Sequence, residues 1–508
     1  LYNGGIGTYV KSSAQSHADV GDRANDAIRV NGSELGCRAV AEGGNLGFTQ
    51  LGRIEYALKG GRIHTDAIDN SAGVDCSDHE VNIKILLDAV VREGRLTLEQ
   101  RDRLLAEMTE EVAALVLRDN YFQTQSLGVS GTLAPALLDA QERFIRHLEK
   151  AGRLNRALEF LPDDEQLAGR RAAKLGLSSP ERAVLLAYAK IALYEALAGS
   201  DVADDPWIAT ALERYFPAQL SARFPAQLAA HPLRREIIAT HVTNSMVNRV
   251  GSTFVHRMQE ETGARAPDVV RAYLIAREAF GFVELWRAIE ALDGRVADGV
   301  QTAMVIDGGR LIVRATLWFL RRRRHLGELA GTIAHFSAGA QRLAALVPRL
   351  LPAAEQPGFE ATARRLESAG VPSGLARSVA AFEAAFNALD IVEVADDSSR
   401  PIDEVARAHF GLAGELDAAW LRSRIGMLPA ETHWQSLAKA ALRDDLAGLL
   451  RALTADALAA GDVPAWKSRN VQLYERVRQI LAELRAAETP DLAMLSVAMR
   501  ELRNLASR

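Results

Sequence analysis

Apolar positions recur with two different textures along this chain, and the change falls near residue 80. Before it, short apolar runs alternate with loops of Gly, Asn and Asp; after it, long helical periodicity continues to Arg508. Arg38–Ala41 reads as a short strand that stops at Glu42-Gly43-Gly44-Asn45. Leu51, Ile54 and Leu58 stand at helical spacing and predict a helix, which Gly60-Gly61 ends as glycine commonly does. Arg62–Ile68 reads as a second strand running into the loop Asp69-Asn70-Ser71-Ala72-Gly73. Strand–loop–helix repeated in this order implies parallel strands and a doubly wound sheet. Ligands of such sheets sit outside the carboxyl ends of the strands, the end where Asn45 and Asn70 fall.

Ser77-Asp78-His79-Glu80 has the form of a capping box and predicts a helix start at Ser77, with Ile83, Leu86, Leu87, Val90 and Val91 as its apolar face and Gly94 at its end. Thr97-Leu98-Glu99-Gln100 is a second box, opening a helix striped by Leu98, Leu105, Met108, Val112 and Leu115. Ser179-Pro180 sets a cap before a proline at the first helical position, and Val184–Leu197 is apolar enough to predict burial on most sides. Further helices are expected after His231-Pro232 and from Pro267 to Phe280. The fold expected is mixed: a partial α/β, Rossmann-like parallel-sheet segment within residues 1–125, then a large all-α region over residues 126–508. Pro352–Pro357 and Asp396–Pro401 are the internal breaks at which that region can divide into two subdomains.

Composition narrows the function. With 508 residues, 48% hydrophobic and 25% charged, the chain is an ordinary globular protein and fits neither disorder nor a fibre. No apolar run approaches the roughly 18 residues of a membrane helix, so no membrane partner is expected. A net charge of -5 makes nucleic acid an unexpected partner too. Two cysteines exclude a disulfide scaffold and suit a reducing cytoplasm. Leu1 in place of Met suggests a piece of something longer.

Few motifs carry chemistry unaided. Asn3-Gly4-Gly5-Ile6-Gly7-Thr8 contains G-x-G, but Val10 stands where a dinucleotide fingerprint wants Gly or Ala, and a plain tight turn explains it as well. Gly43-Gly44-Asn45 allows close backbone approach to a ligand and offers an amide that both donates and accepts. Ser77 is read first as an N-cap; free N–H groups and the dipole at such a terminus also suit a carboxylate. Asp78-His79-Glu80 is no metal site, because adjacent helical positions face apart. H-E-x-x-H, paired Cys and G-x-S-x-G motifs are absent, and Cys37 and Cys76 are expected to be buried thiols. The Arg321–Arg324 run is read as a solvated helix end.

Longer motifs then become specific. Glu42-Gly43-Gly44-Asn45, a helix, and Thr65–Ser77 resemble the end of the NAD domain of glutamate dehydrogenases, where the small enzymes read E-G-A-N, a helix, then N-A-G-G-V followed by x-x-S. Tyr2–Lys11, Asp19–Asp26, Ser77–Lys84, His231–Ile237 and Val247–Gly251 are similar to the large-subunit, NAD-specific bacterial members of that family. The resemblance implies oxidative deamination of L-glutamate to 2-oxoglutarate and ammonia, with NAD as cofactor, in a cytoplasmic homo-oligomer. It assigns Asn45 to the nicotinamide ribose, Asn70 to the nicotinamide end, Ser77 to the substrate side-chain carboxylate, and Gly4, Gly5 and Gly44 to cofactor-lining turns. Leu46, Gly47 and Phe48 depart from the Pro and Thr that follow in the small enzymes. The family's catalytic lysines and acid would precede Leu1, so no catalytic residue is assigned here and this polypeptide is expected to turn over no glutamate. The alternative is a non-catalytic helical oligomerisation or regulatory module with a remnant of the cofactor domain.

Overall fold

The computed structural model describes residues 1–322, 326–429, 432–487 and 489–506. Helix dominates, in two compact units, Leu1–Arg271 and Ala272–Arg508. Arg323 and Arg324 of the arginine run lie outside the described residues.

The first unit opens with four two-residue strands: β1 (Tyr2–Asn3), β2 (Val10–Lys11), β3 (Val30–Asn31) and β4 (Ala41–Glu42). β1 pairs with β4 and β2 with β3, both in parallel, and single parallel bridges join Val10 to Phe48 and Ala39 to Arg62. Parallel pairing is therefore as expected, but a doubly wound sheet is not formed among the described residues. The second predicted strand is reduced to the Arg62 bridge, and Asp66–Asp69 is a helical turn. Two-residue strands expose too few ladder groups to build a sheet, and side chains carry the remaining ties. Val10, Val40, Phe48, Tyr56 and Ile63 form a small core around these strands.

Helix Gln50–Leu58 forms as predicted, capped by the Thr49 hydroxyl, which accepts from the Gly52 amide. Its buried face is Gly52, Arg53, Ile54 and Tyr56, whereas Leu58 is exposed. The expected helix start at Ser77 is wrong. One helix runs Ser71–Arg92, and Ser77 is an exposed residue two turns into it. Nothing in Ser71–Cys76 breaks a helix, and the cost of Gly73, about 1 kcal/mol, is offset by tertiary ties at the first turn. Asn120 Nδ2 donates both to the Ile68 carbonyl (2.7 Å) and to Ser71 Oγ (3.0 Å).

The Thr97 capping box is present, but its helix stops at Glu107 and a new one spans Thr109–Thr132. The next cap is Ser178 rather than Ser179, with Glu181 closing the box, and helix Ser179–Ala198 follows. Helix Arg234–Val250 buries Ile237, Ile238, Val242 and Met246 as expected. Among the described residues the second unit contains helices and no strands, and its cores gather around Leu343, Val405 and Phe410 and around Leu421, Leu453 and Leu495. Both expected breaks fall between helices there: Leu329–Leu350 precedes Gln356–Ser368, and Ala388–Ser398 precedes Ile402–Glu415.

Candidate functional site

Parallel pairing of β1 and β4 brings two glycine turns side by side at the carboxyl ends of the strands. The Asn3 carbonyl accepts from both Gly43 N (2.8 Å) and Gly44 N (3.0 Å). A Cβ on Gly44 would sit 2.7 Å from the Gly5 carbonyl oxygen, and one on Gly43 would sit 2.1 Å from the Tyr2 hydroxyl. At Gly44 the facing atom is backbone and only glycine fits, whereas the exposed Tyr2 ring can swing away from Gly43. Gly4 and Gly5 are thus neighbours of Gly44, as the sequence reading requires.

Asn45 and Asn70 meet across this end, Asn70 Nδ2 donating to Asn45 Oδ1 at 3.0 Å in an exposed hydrogen bond. Twenty-five residues separate them in the chain, and the Gln50–Leu58 helix folds the second loop back beside the first. The shared bond uses one donor of Asn70 and one acceptor capacity of Asn45, so each amide keeps hydrogen-bonding capacity of the opposite kind.

Beneath the loops lies a latch that sequence reasoning did not anticipate. Glu42 is fully buried and accepts from Arg53 twice, at 2.7 Å from Nε and 3.0 Å from Nη2. Arg53 also meets Asp66 at 3.2 Å, while Asp66 accepts from the Leu46 amide (2.8 Å) and Asp69 from the Glu42 amide (3.0 Å). Burial works against charge on Arg53, but the Glu42 and Asp66 carboxylates outweigh it and hold the guanidinium above its ordinary pKa. Asp69 is shifted upward, chiefly by burial. These residues fix both loops from below. Glu42, Asp66 and Asp69 lie inside the Glu42–Asn45 and Thr65–Ser77 motifs, but Arg53, in the helix between them, carries no signal in the sequence.

Ser77 is not brought into the cluster of the two asparagines. It stands seven residues beyond Asn70, a rise of about 10 Å along one helix. The helix N-terminus lies at Ser71, so free N–H groups do not surround Ser77, and any anion contact it makes rests on its hydroxyl. Asp78 turns elsewhere, accepting from Tyr215 Oη at 2.8 Å. The two thiols are not buried as expected: Cys37 is half-buried and Cys76, on the outer face of the Ser71–Arg92 helix, is exposed.

A glycine-lined turn pair with two hydrogen-bonded asparagines thus stands at the carboxyl ends of parallel strands, the end where ligands of parallel sheets bind. The family described as "Bacterial NAD-glutamate dehydrogenase, catalytic domain" matches residues 1–130, and that described as "Glutamate dehydrogenase, C-terminal" matches residues 174–504. The chain belongs to the glutamate dehydrogenase family. It is 46% identical over 517 residues to the NAD-specific glutamate dehydrogenase of Pseudomonas aeruginosa, covering 100% of this chain and 32% of that protein. The enzyme of the same name from Halomonas elongata is 43% identical over 514 residues, with 100% and 32% covered. That of Mycobacterium tuberculosis is 40% identical over 513 residues, with 99% and 32% covered. The chain spans about a third of the length of these curated relatives.

Proposed function

We propose that this chain is part of an NAD-dependent glutamate dehydrogenase, acting in the oxidative deamination of L-glutamate to 2-oxoglutarate and ammonia. Residues 1–125 are the end of its cofactor domain and residues 126–508 its helical C-terminal domain. The observation that supports this reading best is the convergence of Asn45 and Asn70 at the carboxyl ends of the parallel strands. NAD, when bound, supplies the hydride acceptor. Asn45 and Asn70 would hold its nicotinamide ribose and carboxamide, whose donors and acceptors complement the two side-chain amides. Gly4, Gly5 and Gly44 let the backbone come close to it, and the buried Glu42–Arg53 pair keeps the loops in place when it leaves. The Ser77 hydroxyl would contact the side-chain carboxylate of glutamate. An apolar substrate would leave that hydroxyl unmatched.

The reading is tested by titrating the purified chain with NAD in a calorimeter. Asn45→Ala and Asn70→Ala should each weaken binding about 10-fold, corresponding to about 1.4 kcal/mol. NAD binding that both variants leave unchanged would remove the proposed site. With no catalytic residue assigned on this chain, glutamate and NAD added to this polypeptide should give no NADH absorbance; measurable turnover would refute that. A homo-oligomer, the remaining part of the reading, is checked by light scattering.

A further inference from the structure

One group of ionisable side chains is left unused by the site above. Asp75 and His79 stand one turn apart on the Ser71–Arg92 helix, and Asp119 comes from the Thr109–Thr132 helix. A possible ligand atom from each lies within 4.8 Å of those of the other two. Ser77 lies between Asp75 and His79 in sequence but is exposed, whereas His79 is only 2% exposed.

His79 is the informative member. Its ring stacks on that of Tyr215 with centroids 4.5 Å apart, which fixes the imidazole plane. Neither ring nitrogen has a hydrogen-bond partner, and Asp75 Oδ2 is likewise buried and unpartnered. The nearest carboxylate oxygen to Nε2 is Asp75 Oδ1, at 3.9 Å, too far for a hydrogen bond. A buried imidazole left unsatisfied costs about 1–3 kcal/mol, and here Asp75, whose Oδ2 is also unpartnered, and Asp119 each bring a carboxylate oxygen close to it. One cation between the three would engage one ring nitrogen of His79 and an oxygen of each carboxylate.

We infer that Asp75, His79 and Asp119 form a binding site for a divalent transition cation, with Zn²⁺ the best-matched ion. One imidazole and two carboxylates make a mixed N/O donor set, which suits zinc and its neighbours better than the all-oxygen preference of Ca²⁺ or Mg²⁺. The two carboxylates balance the charge of the ion. Ligand atoms about 2.1 Å from zinc stand roughly 3.4 Å apart in a tetrahedron, so the side chains need to draw in by about 1 Å, within the reach of small χ rotations. Three protein ligands leave a fourth position for water. The i, i+4 pair on one helix and the single ligand on its neighbour would make the ion a cross-link between the two helices.

Lys190 is the competing cation. It reaches the cluster from the Ser179–Ala198 helix, interacts with both Asp119 and Asp75, and donates to Gln123 Oε1 at 3.1 Å. It forms no ion pair within 4 Å of either carboxylate among the described residues, so it weakens a bound metal by repulsion without filling the ligand positions.

The test strips the purified chain with a chelator, adds Zn²⁺ or Co²⁺, desalts it, and measures metal per chain by mass spectrometry and the visible spectrum of the Co²⁺ form. One ion per chain is expected, with a raised melting temperature on metal addition. H79Q and D119N should each weaken binding at least 10-fold, while H335Q, at an exposed histidine elsewhere, should leave it unchanged. K190Q should bind more tightly, and this variant decides the matter if H79Q or D119N fails to fold. No retained ion in the parent chain would overturn the site. So would equal affinity in H79Q, or no gain in K190Q; Lys190 and Arg118 would then supply the counter-charge of the two aspartates.

Discussion

Gly44 shows how much of the site depends on single atoms. A methyl group there would press on the Gly5 carbonyl oxygen at 2.7 Å, which is backbone and cannot rotate away. Gly44→Ala must therefore part the two turns. A loss of about 1–3 kcal/mol is expected, as for other overpacked sites, together with weaker NAD binding than Gly36→Ala, whose added Cβ would meet nothing within 4 Å. Thermal melting and NAD titration of the two variants side by side check this. Residues of this kind were legible beforehand, because a Gly-Gly-Asn turn states its own backbone requirement. The pairing of Asn45 with Asn70 was legible as well, through the order of elements that places both loops at one end. The Glu42–Arg53–Asp66 latch was not. A buried bidentate pair eleven residues apart leaves no periodic or compositional mark. Glu55 is similar: burial, the largest single influence, raises its pKa, but Ser12, Ser13 and Ser33 together donate to it and bring it down to about 2.

Among the elements, helices were read well where local chemistry alone defines them and poorly where distant contacts do. The Thr97 box and the Gln50–Leu58 helix formed as expected because cap and stripe are local signals. The Ser71–Arg92 helix began two turns early because its first turn is held from outside. Ser-x-x-Glu inside a helix looks the same in sequence as Ser-x-x-Glu at its start, and only Asn120, about fifty residues away, resolves the difference. Asn120→Ala should accordingly act on that first turn. It removes two hydrogen bonds, each contributing about 1 kcal/mol, and amide exchange at residues 71–77 should speed up while that of residues 83–90 stays slow. Equal protection of both stretches in the variant would show that the helix start is held by something else. The strand segment was read less well: apolar runs pointed to Arg38–Ala41 and Arg62–Ile68, where only short pairing forms, and gave no sign of β1, β2 or β3.

Across the whole molecule, acid sensitivity follows from histidines that folding keeps neutral. His231 and His256 in the first unit and His409 in the second are buried, and burial is the leading cause that lowers the pKa of each. His409 is the sharpest case, brought from an ordinary 6.5 to about 4 by burial and by the nearby charge of Arg422. Thr454 Oγ1 donates to the Leu450 carbonyl at 2.7 Å, so its approach to His409 Nδ1 at 3.1 Å makes the ring the donor there. Nε2 is then a bare acceptor, buried and without a partner. Between pH 6.5 and 4 the unfolded chain binds this proton and the folded chain does not. Stability therefore rises with pH through that window and is lost as the pH falls, by about 2 kcal/mol for His409 at pH 5. His409→Asn keeps a donor toward Thr454 and removes the titration. It should melt lower than the parent at pH 7, because the missing ring atoms leave a cavity. Its melting temperature should nevertheless fall less than the parent's between pH 7 and pH 5. An unchanged slope would mean that the His409 ring takes up its proton without unfolding, and that carboxylates alone set the acid limit.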